Sequence, residues 1–164
     1  MIIRTVDPSE PAAQYLHDML QSEYTGLYGF PDPNPEGGIE GCFAHYGRTY
    51  VGYDPATHKP IVLAAWGVLS RTDTEHTGIV TDSFVATLKR VYTHYAHRSM
   101  GLAATMIGHC EAGAADLGMS HLVLETGTAQ TSAISLYCKR GYTPIDGYGY
   151  YRGENTSVFL GKEL

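Results

Sequence analysis

One stretch in the second half of the chain concentrates the groups best able to do chemistry. It reads Val91-Tyr92-Thr93-His94-Tyr95-Ala96-His97-Arg98-Ser99-Met100-Gly101-Leu102-Ala103. A strand-like run passes into a short loop, and the loop into an amphipathic helix that opens on small residues. The first turn of a helix carries N–H groups with no acceptor in the helix itself, at the positive end of its dipole. Those groups suit a phosphate or diphosphate. Gly101 and Ala103 carry little or no side chain, so an anion can approach the backbone, and His94, His97 and Arg98 add donors or charge nearby. A plain strand–turn–helix unit has the same outline, with Gly101 serving only the turn. The segment alone leaves both readings open. No G-x-x-x-x-G-K-[ST] loop occurs, and no G-x-G-x-x-G opens a helix after a strand.

The elements that must hold this stretch follow from periodicity. Residues 1–6 read as a short strand. Ala12, Leu16, Met19 and Leu20 recur at helical spacing, which predicts a helix over about 11–24. The proline- and glycine-rich run 29–38 is a loop with Tyr24, Tyr28 and Phe30 as aromatic neighbours. Residues 50–53 and 61–69 read as strands joined by a hairpin loop, the second apolar nearly throughout, as for a strand covered on both faces. Residues 71–83 are polar and read as loop, and 84–93 as strand. Leu102, Met106, Ile107, Cys110, Ala114 and Leu117 share one helical face, with Gly118 as the stop. A buried strand at 121–126 follows, then a helix at 132–140 ended by Gly141. Two last strands, at 142–145 and 157–160, flank an aromatic, glycine-rich loop containing Tyr148, Tyr150 and Tyr151. This order predicts an α/β or α+β domain with a mixed sheet.

The 164 residues suit one domain, which buries roughly 70% of its unfolded surface. No disulfide or metal is then needed for stability. A net charge of −6 argues against a general nucleic-acid partner, because phosphate backbones need a positive field. It mildly favours a basic or amine-bearing partner. Cys42, Cys110 and Cys138 lie far apart with no C-x-x-C pair, so no zinc or redox motif is expected. Cys110 and Cys138 fall on predicted helices as small core or boundary residues. His17, His45, His58 and His76 read as surface or loop residues, with no metal ligand among them. The opening Met1-Ile2-Ile3-Arg4 is too short for a signal peptide, and no stretch reaches the ~20 apolar residues of a membrane span. The expected compartment is a reducing cytoplasm, with no membrane partner.

Two segments carry a resemblance. Arg98-Ser99-Met100-Gly101-Leu102-Ala103 is similar to the [QR]-x-x-G-x-[GA] signature of the GCN5-related N-acetyltransferases. Ala133-Ile134-Ser135-Leu136-Tyr137-Cys138-Lys139-Arg140-Gly141-Tyr142 resembles the A-x-x-L-Y-x-x-x-G-[FY] segment of that family. The two stand in the family's order, with a helix and a strand between them. The resemblance covers about 86–164; the first half fits only in the order of its elements.

The resemblance implies a single domain over 1–164, with an acetyl-CoA-binding core at about 86–145. Its sheet would be mixed, mostly antiparallel and flanked by helices, with a splayed strand pair holding acetyl-CoA. The backbone of Val91, Tyr92 and Thr93 would pair with pantetheine amides. The N–H groups of Arg98, Ser99, Met100, Gly101, Leu102 and Ala103 would hold the diphosphate, with Gln130 standing where relatives carry asparagine. Tyr137 would lie near the sulfur. A phenol of ordinary pKa about 10 is protonated at neutral pH and can give its proton to a departing thiolate. Its alternative role is packing against the helix face it shares with Ala133. Thr87 stands where relatives often carry a glutamate base, and a threonine cannot serve. Glu125 is the substitute candidate, the alternatives being a carboxylate bonded into the sheet edge or a chain of water.

Tyr28, Phe30, Tyr148 and Tyr150 are candidates to wall an acceptor pocket, the aromatic loop having packing or dimer contact as its other reading. Lys139 and Arg140 are either phosphate helpers or a solvated helix end. The implied activity is acetyl transfer from acetyl-CoA to a small-molecule or protein amine, without a metal and in a possible homodimer. A non-catalytic acyl-CoA sensor on the same fold is the alternative, and an α/β enzyme for another phosphate ligand is the third.

Overall fold

The computed structural model describes residues 1–32 and 47–164. Cys42, His45 and the loop positions 33–38 lie outside the described residues. Seven strands form one sheet in the order β1-β2-β3-β4-β5-β7-β6. They are β1 (Ile2–Val6), β2 (Arg48–Tyr53), β3 (Pro60–Val68), β4 (Val85–Thr93), β5 (His121–Gly127), β6 (Thr143–Pro144) and β7 (Ser157–Glu163). Among the described residues four helices accompany them: α1 (Pro11–Tyr28), α2 (Arg71–His76), α3 (Leu102–Ala115) and α4 (Thr131–Lys139), with a 3-10 turn at Tyr95–His97. The β1–β2, β2–β3, β5–β7 and β6–β7 pairs are antiparallel, and β4–β5 is parallel. The mixed, mostly antiparallel sheet expected from the sequence is therefore present.

The chain resolves into two compact units. The first comprises Met1–Gly67 and Lys89–Cys110, the second Val68–Leu88 and Glu111–Leu164. In the first, α1 begins at Pro11, whose missing N–H costs nothing at a helix start. It ends at Gly29, which takes the left-handed conformation (φ 85°) and donates its N–H to the Thr25 carbonyl. The sequence pattern ends this helix near Tyr24; the structure carries it one turn further, past Gly26. Tyr24 and Tyr28 thereby pair edge to face, with centroids 6.1 Å apart, four residues apart on one helix. Ala13, Leu16 and Leu20 of α1 pack with Val6, Val51, Leu63 and Tyr92 as the core of this unit.

In the second unit Leu69, Val85, Val123 and Tyr148 form a core lined by Ile79, Ile145 and Phe159. The expected loop at 71–83 is corrected here: its first six residues are the helix α2. Ser70 caps that helix by accepting from the Asp73 N–H at 3.0 Å, and its hydroxyl donates to the Asp73 carboxylate at 2.7 Å. This reciprocal cap is a short-range signal that polarity alone hides. The strand predicted over 142–145 shortens to β6, and the one predicted over 157–160 extends through β7.

Leu63 is fully buried in the first core. Leu63→Ala removes three carbons from a packed site and is expected to cost about 2–5 kcal/mol. Chemical denaturation measures it, and a loss under about 1 kcal/mol would show that the site collapses around the gap.

Candidate functional site

The predicted residues divide between the two units. In the first, β4 leads into the stretch expected to bind an anion. The strand is not uniformly extended, since Arg90 has φ 56°. A left-handed arginine costs roughly 1–2 kcal/mol, so something must hold it. Its guanidinium pairs with Asp32, their side chains being only 7% and 12% exposed. The Asp32 N–H in turn donates to Gln21 Oε1 at 3.0 Å, and Gln21 Nε2 meets His17 Nε2 at 3.2 Å.

Beyond β4 the His94 N–H donates to the Ile61 carbonyl at 2.8 Å. Its ring accepts from the Ala96 N–H and stacks on Tyr95, centroids 4.4 Å apart. Ser99 (φ 63°) and Gly101 (φ 75°) are left-handed. Helix α3 then starts, the Thr105 N–H donating to the Gly101 carbonyl at 3.1 Å. The six N–H groups of residues 99–104 have no acceptor among the described residues. A Cβ built on Gly101 meets nothing within 4 Å. A row of free amides beside open space matches what a diphosphate requires. The buried Thr93 hydroxyl at the end of β4 also lacks a partner among the described residues. The cations expected nearby are already matched. Arg98 donates to the Thr93 carbonyl at 3.0 Å, pairs with Glu23 and covers the Tyr92 ring at 5.6 Å. His97 faces Asp54 at 3.8 Å. What this stretch offers an anion is therefore its main chain.

Tyr92 is buried, and its hydroxyl donates to Glu23 at 3.4 Å. Burial, then the Glu23 charge, raises its pKa. Tyr28 is half-buried at the end of α1, while Phe30 just beyond the cap is exposed.

In the second unit Tyr137 is buried on α4, its ring edge-on to Tyr142 with centroids 5.8 Å apart. Gln130 precedes α4 and caps it with its carbonyl, accepting from Ala133 and Ile134 at 3.0 and 3.1 Å. Glu125 is half-buried on β5, opposite Phe159, and accepts from the Ser157 hydroxyl at 2.6 Å. Thr87 bonds the Tyr148 hydroxyl at 3.1 Å. Tyr148 sits inside the core, and burial raises its pKa far above the ordinary value. Of the aromatic loop, Tyr150 is the exposed member, set edge-on to Tyr151. Arg140 pairs with Glu111, which also meets Lys162 at 3.1 Å. The parallel β4–β5 ladder has three rungs, at Val85, Ala86 and Thr87 of a nine-residue strand. Among the described residues no three His, Cys, Asp or Glu side chains converge to hold a metal, and no helix is long and apolar enough to cross a membrane.

Reading the sequence missed Glu23, Asp32, Arg90 and Ser157. The Arg90–Asp32 partners are 58 residues apart, and no local pattern announces such a pair. It also misplaced His17, which is buried on α1 rather than at the surface. Helical spacing from Ala13 and Leu20 supplies the signal, since His17 falls on the same face. Cys110 is buried on α3 and Cys138 exposed on α4.

The chain has relatives among known proteins. The model of the acetyltransferase (GNAT) family matches residues 13–142. An IAA acetyltransferase from Azospirillum brasilense is 30% identical over 86 residues, 52% of this chain and 56% of that protein. The match thus spans little more than half of that relative's length. A crystal structure from Klebsiella pneumoniae, assigned as an acyl-CoA N-acyltransferase, superposes with a TM-score of 0.74 at 25% identity, over 99% of this chain and 97% of that one. A GNAT acetyltransferase from Elizabethkingia anophelis, solved with acetyl-CoA bound, has a TM-score of 0.63 at 14% identity, over 99% and 97% of the two chains. The last shares the fold.

His17 has a lowered pKa, first from burial and second from the Arg90 charge. Protonating it thus costs more in the fold than in the unfolded chain. Its contribution is whole above the unfolded value of 6.5 and is lost as pH falls through the lower folded value. In thermal melts from about pH 8 to about pH 5, the wild type is expected to lose stability faster than His17→Gln. Parallel curves would contradict this.

Proposed function

The chain belongs to the acetyltransferase (GNAT) family, and on that premise we propose that it is an acetyl-CoA-dependent N-acetyltransferase acting on a primary amine of a small molecule or protein. The observation that carries the reading is the row of acceptor-free amides at residues 99–104, with Gly101 open above it. Acetyl-CoA, when bound, supplies the activated acyl group. The N–H groups of Ser99, Met100, Gly101, Leu102 and Ala103 would hold its diphosphate, with Arg98 bracing the loop through Thr93 and Glu23. The main chain of Val91, Tyr92 and Thr93 would align the pantetheine arm, and Gln130 would flank it.

An amine must lose its proton to attack, since a free alkyl ammonium has a pKa of about 10.4. We assign that proton to Glu125, whose carboxylate Ser157 orients. A main-chain N–H at Val91 or Tyr92 donates to the carbonyl oxygen as negative charge builds there. Such a donor is worth about 3–4 kcal/mol in related chemistry. Tyr137 gives its hydroxyl proton to the departing sulfur. Phe30 and Tyr150, both exposed, are the candidates for contact with the acceptor, and Tyr28 lies one turn back on α1. Tyr148 would act from beneath, by holding its loop through Thr87.

A coenzyme-binding module without turnover is the second reading. It is favoured by Thr87, which stands at the usual base position with its hydroxyl engaged by Tyr148. Thiol release from acetyl-CoA across a panel of primary amines separates the two: the enzyme releases thiol with at least one amine, and the module with none.

Tyr137→Phe is expected to lower kcat about 100-fold or more while leaving the coenzyme A dissociation constant unchanged. Full turnover in that variant would remove Tyr137 from the acid role. Gly101→Glu puts a carboxylate where the diphosphate is proposed to lie. Loss of the thermal stabilisation given by coenzyme A is expected, and an unaltered dissociation constant would count against the amide cradle.

A further inference from the structure

Among the described residues, the least obvious polar construction in the first unit runs from α1 to the middle of β4. His17 and Gln21 stand one turn apart on α1, and Gln21 fixes the main chain of Asp32. Asp32 fixes the guanidinium of Arg90, and Arg90 is the left-handed residue of its strand. Both members of the ion pair are nearly buried, so salt and water screen it little. The pair that Glu23 of α1 makes with Arg98, in the loop beyond β4, is almost half exposed. Burial also lowers the pKa of His17, so the chain presents Arg90 with a neutral ring rather than a second cation.

A left-handed residue inside a strand turns the peptide groups beside it, which is how an extended segment can aim an N–H away from its ladder. Arginine has no intrinsic preference for that conformation. Its side chain must therefore be held from outside, and Asp32 is a group that holds it.

We propose that Asp32 is a positioning residue for acetyl transfer: through its buried pair with Arg90 it holds the turn in β4 and so aims the N–H groups of Val91 and Tyr92. This rests on the reading of those N–H groups as donors to the reacting carbonyl oxygen. Asp32 touches neither substrate nor coenzyme in this account and acts only through Arg90. Its loss changes the direction of the donors and leaves the amides of residues 99–103 as they were.

The test compares wild type, Asp32→Asn, Arg90→Gly and the double variant. The acceptor is the most active of lysine, spermidine, histamine and a short peptide with a free N-terminus. Asp32→Asn is expected to lower kcat roughly tenfold to a hundredfold, with KM for acetyl-CoA within about twofold. Glycine takes the left-handed conformation unaided, so adding Asp32→Asn to Arg90→Gly is expected to change kcat by less than about twofold. In nitrogen-labelled protein, Asp32→Asn should shift the amide signals of Val91 and Tyr92 and spare those of residues 99–103. Unchanged kcat with unmoved Val91 and Tyr92 signals overturns the proposal. So does a full further loss in the double variant, or a loss of coenzyme A binding that matches the loss of kcat. Should Asp32→Asn not fold, Asp32→Glu keeps the charge on a longer arm and reads the same split. A wild type that acetylates none of the four amines defeats the parent reading for them. The amide signals then decide alone whether Asp32 aims Val91 and Tyr92.

Discussion

The amides of residues 99–104 must be answered by something. A helix can satisfy its N–H groups only from the fifth residue of its hydrogen-bonded run onward. Here the chain reaches α3 through left-handed Ser99 and Gly101, and its opening turn finds no acceptor among the described residues. In water the solvent meets that demand. An anion meets it better, because the dipole of a fourteen-residue helix points the same way. The surrounding arrangement keeps this turn open. Arg98 is drawn toward Glu23 and the Thr93 carbonyl, and Gly101 presents no side chain to the space above it.

The electrostatic consequence is that recognition is local. The chain carries a net charge of −6, so the molecule as a whole repels a polyanion. Oriented N–H groups bind a diphosphate without an unpaired cation. Tyr137 is buried on α4 with its ring edge-on to Tyr142, and its part in the proposed reaction is that of an acid.

The fold was legible where periodicity is strong. β3 is continuous apolar sequence because it is buried along nearly its whole length, and α3 shows its stripe because one face is packed. The two motif segments were legible for a different reason. Both resemble segments of the family whose model matches residues 13–142. What escaped was built from long-range polar contacts. Asp32 and Arg90 look like ordinary loop and strand charges until folding joins them. α2 is a six-residue helix whose cap, rather than any apolar stripe, defines it. Tyr148, a candidate pocket wall with packing as its other reading, lies in a core with its hydroxyl bonded to Thr87.

The most direct measurement follows the backbone amide signals of residues 99–103 as coenzyme A is titrated in, with pantetheine, which lacks the diphosphate, as the control. The account predicts that these amides move most with coenzyme A and stay still with pantetheine. Equal movement with both ligands, or no movement while signals elsewhere shift, would contradict it.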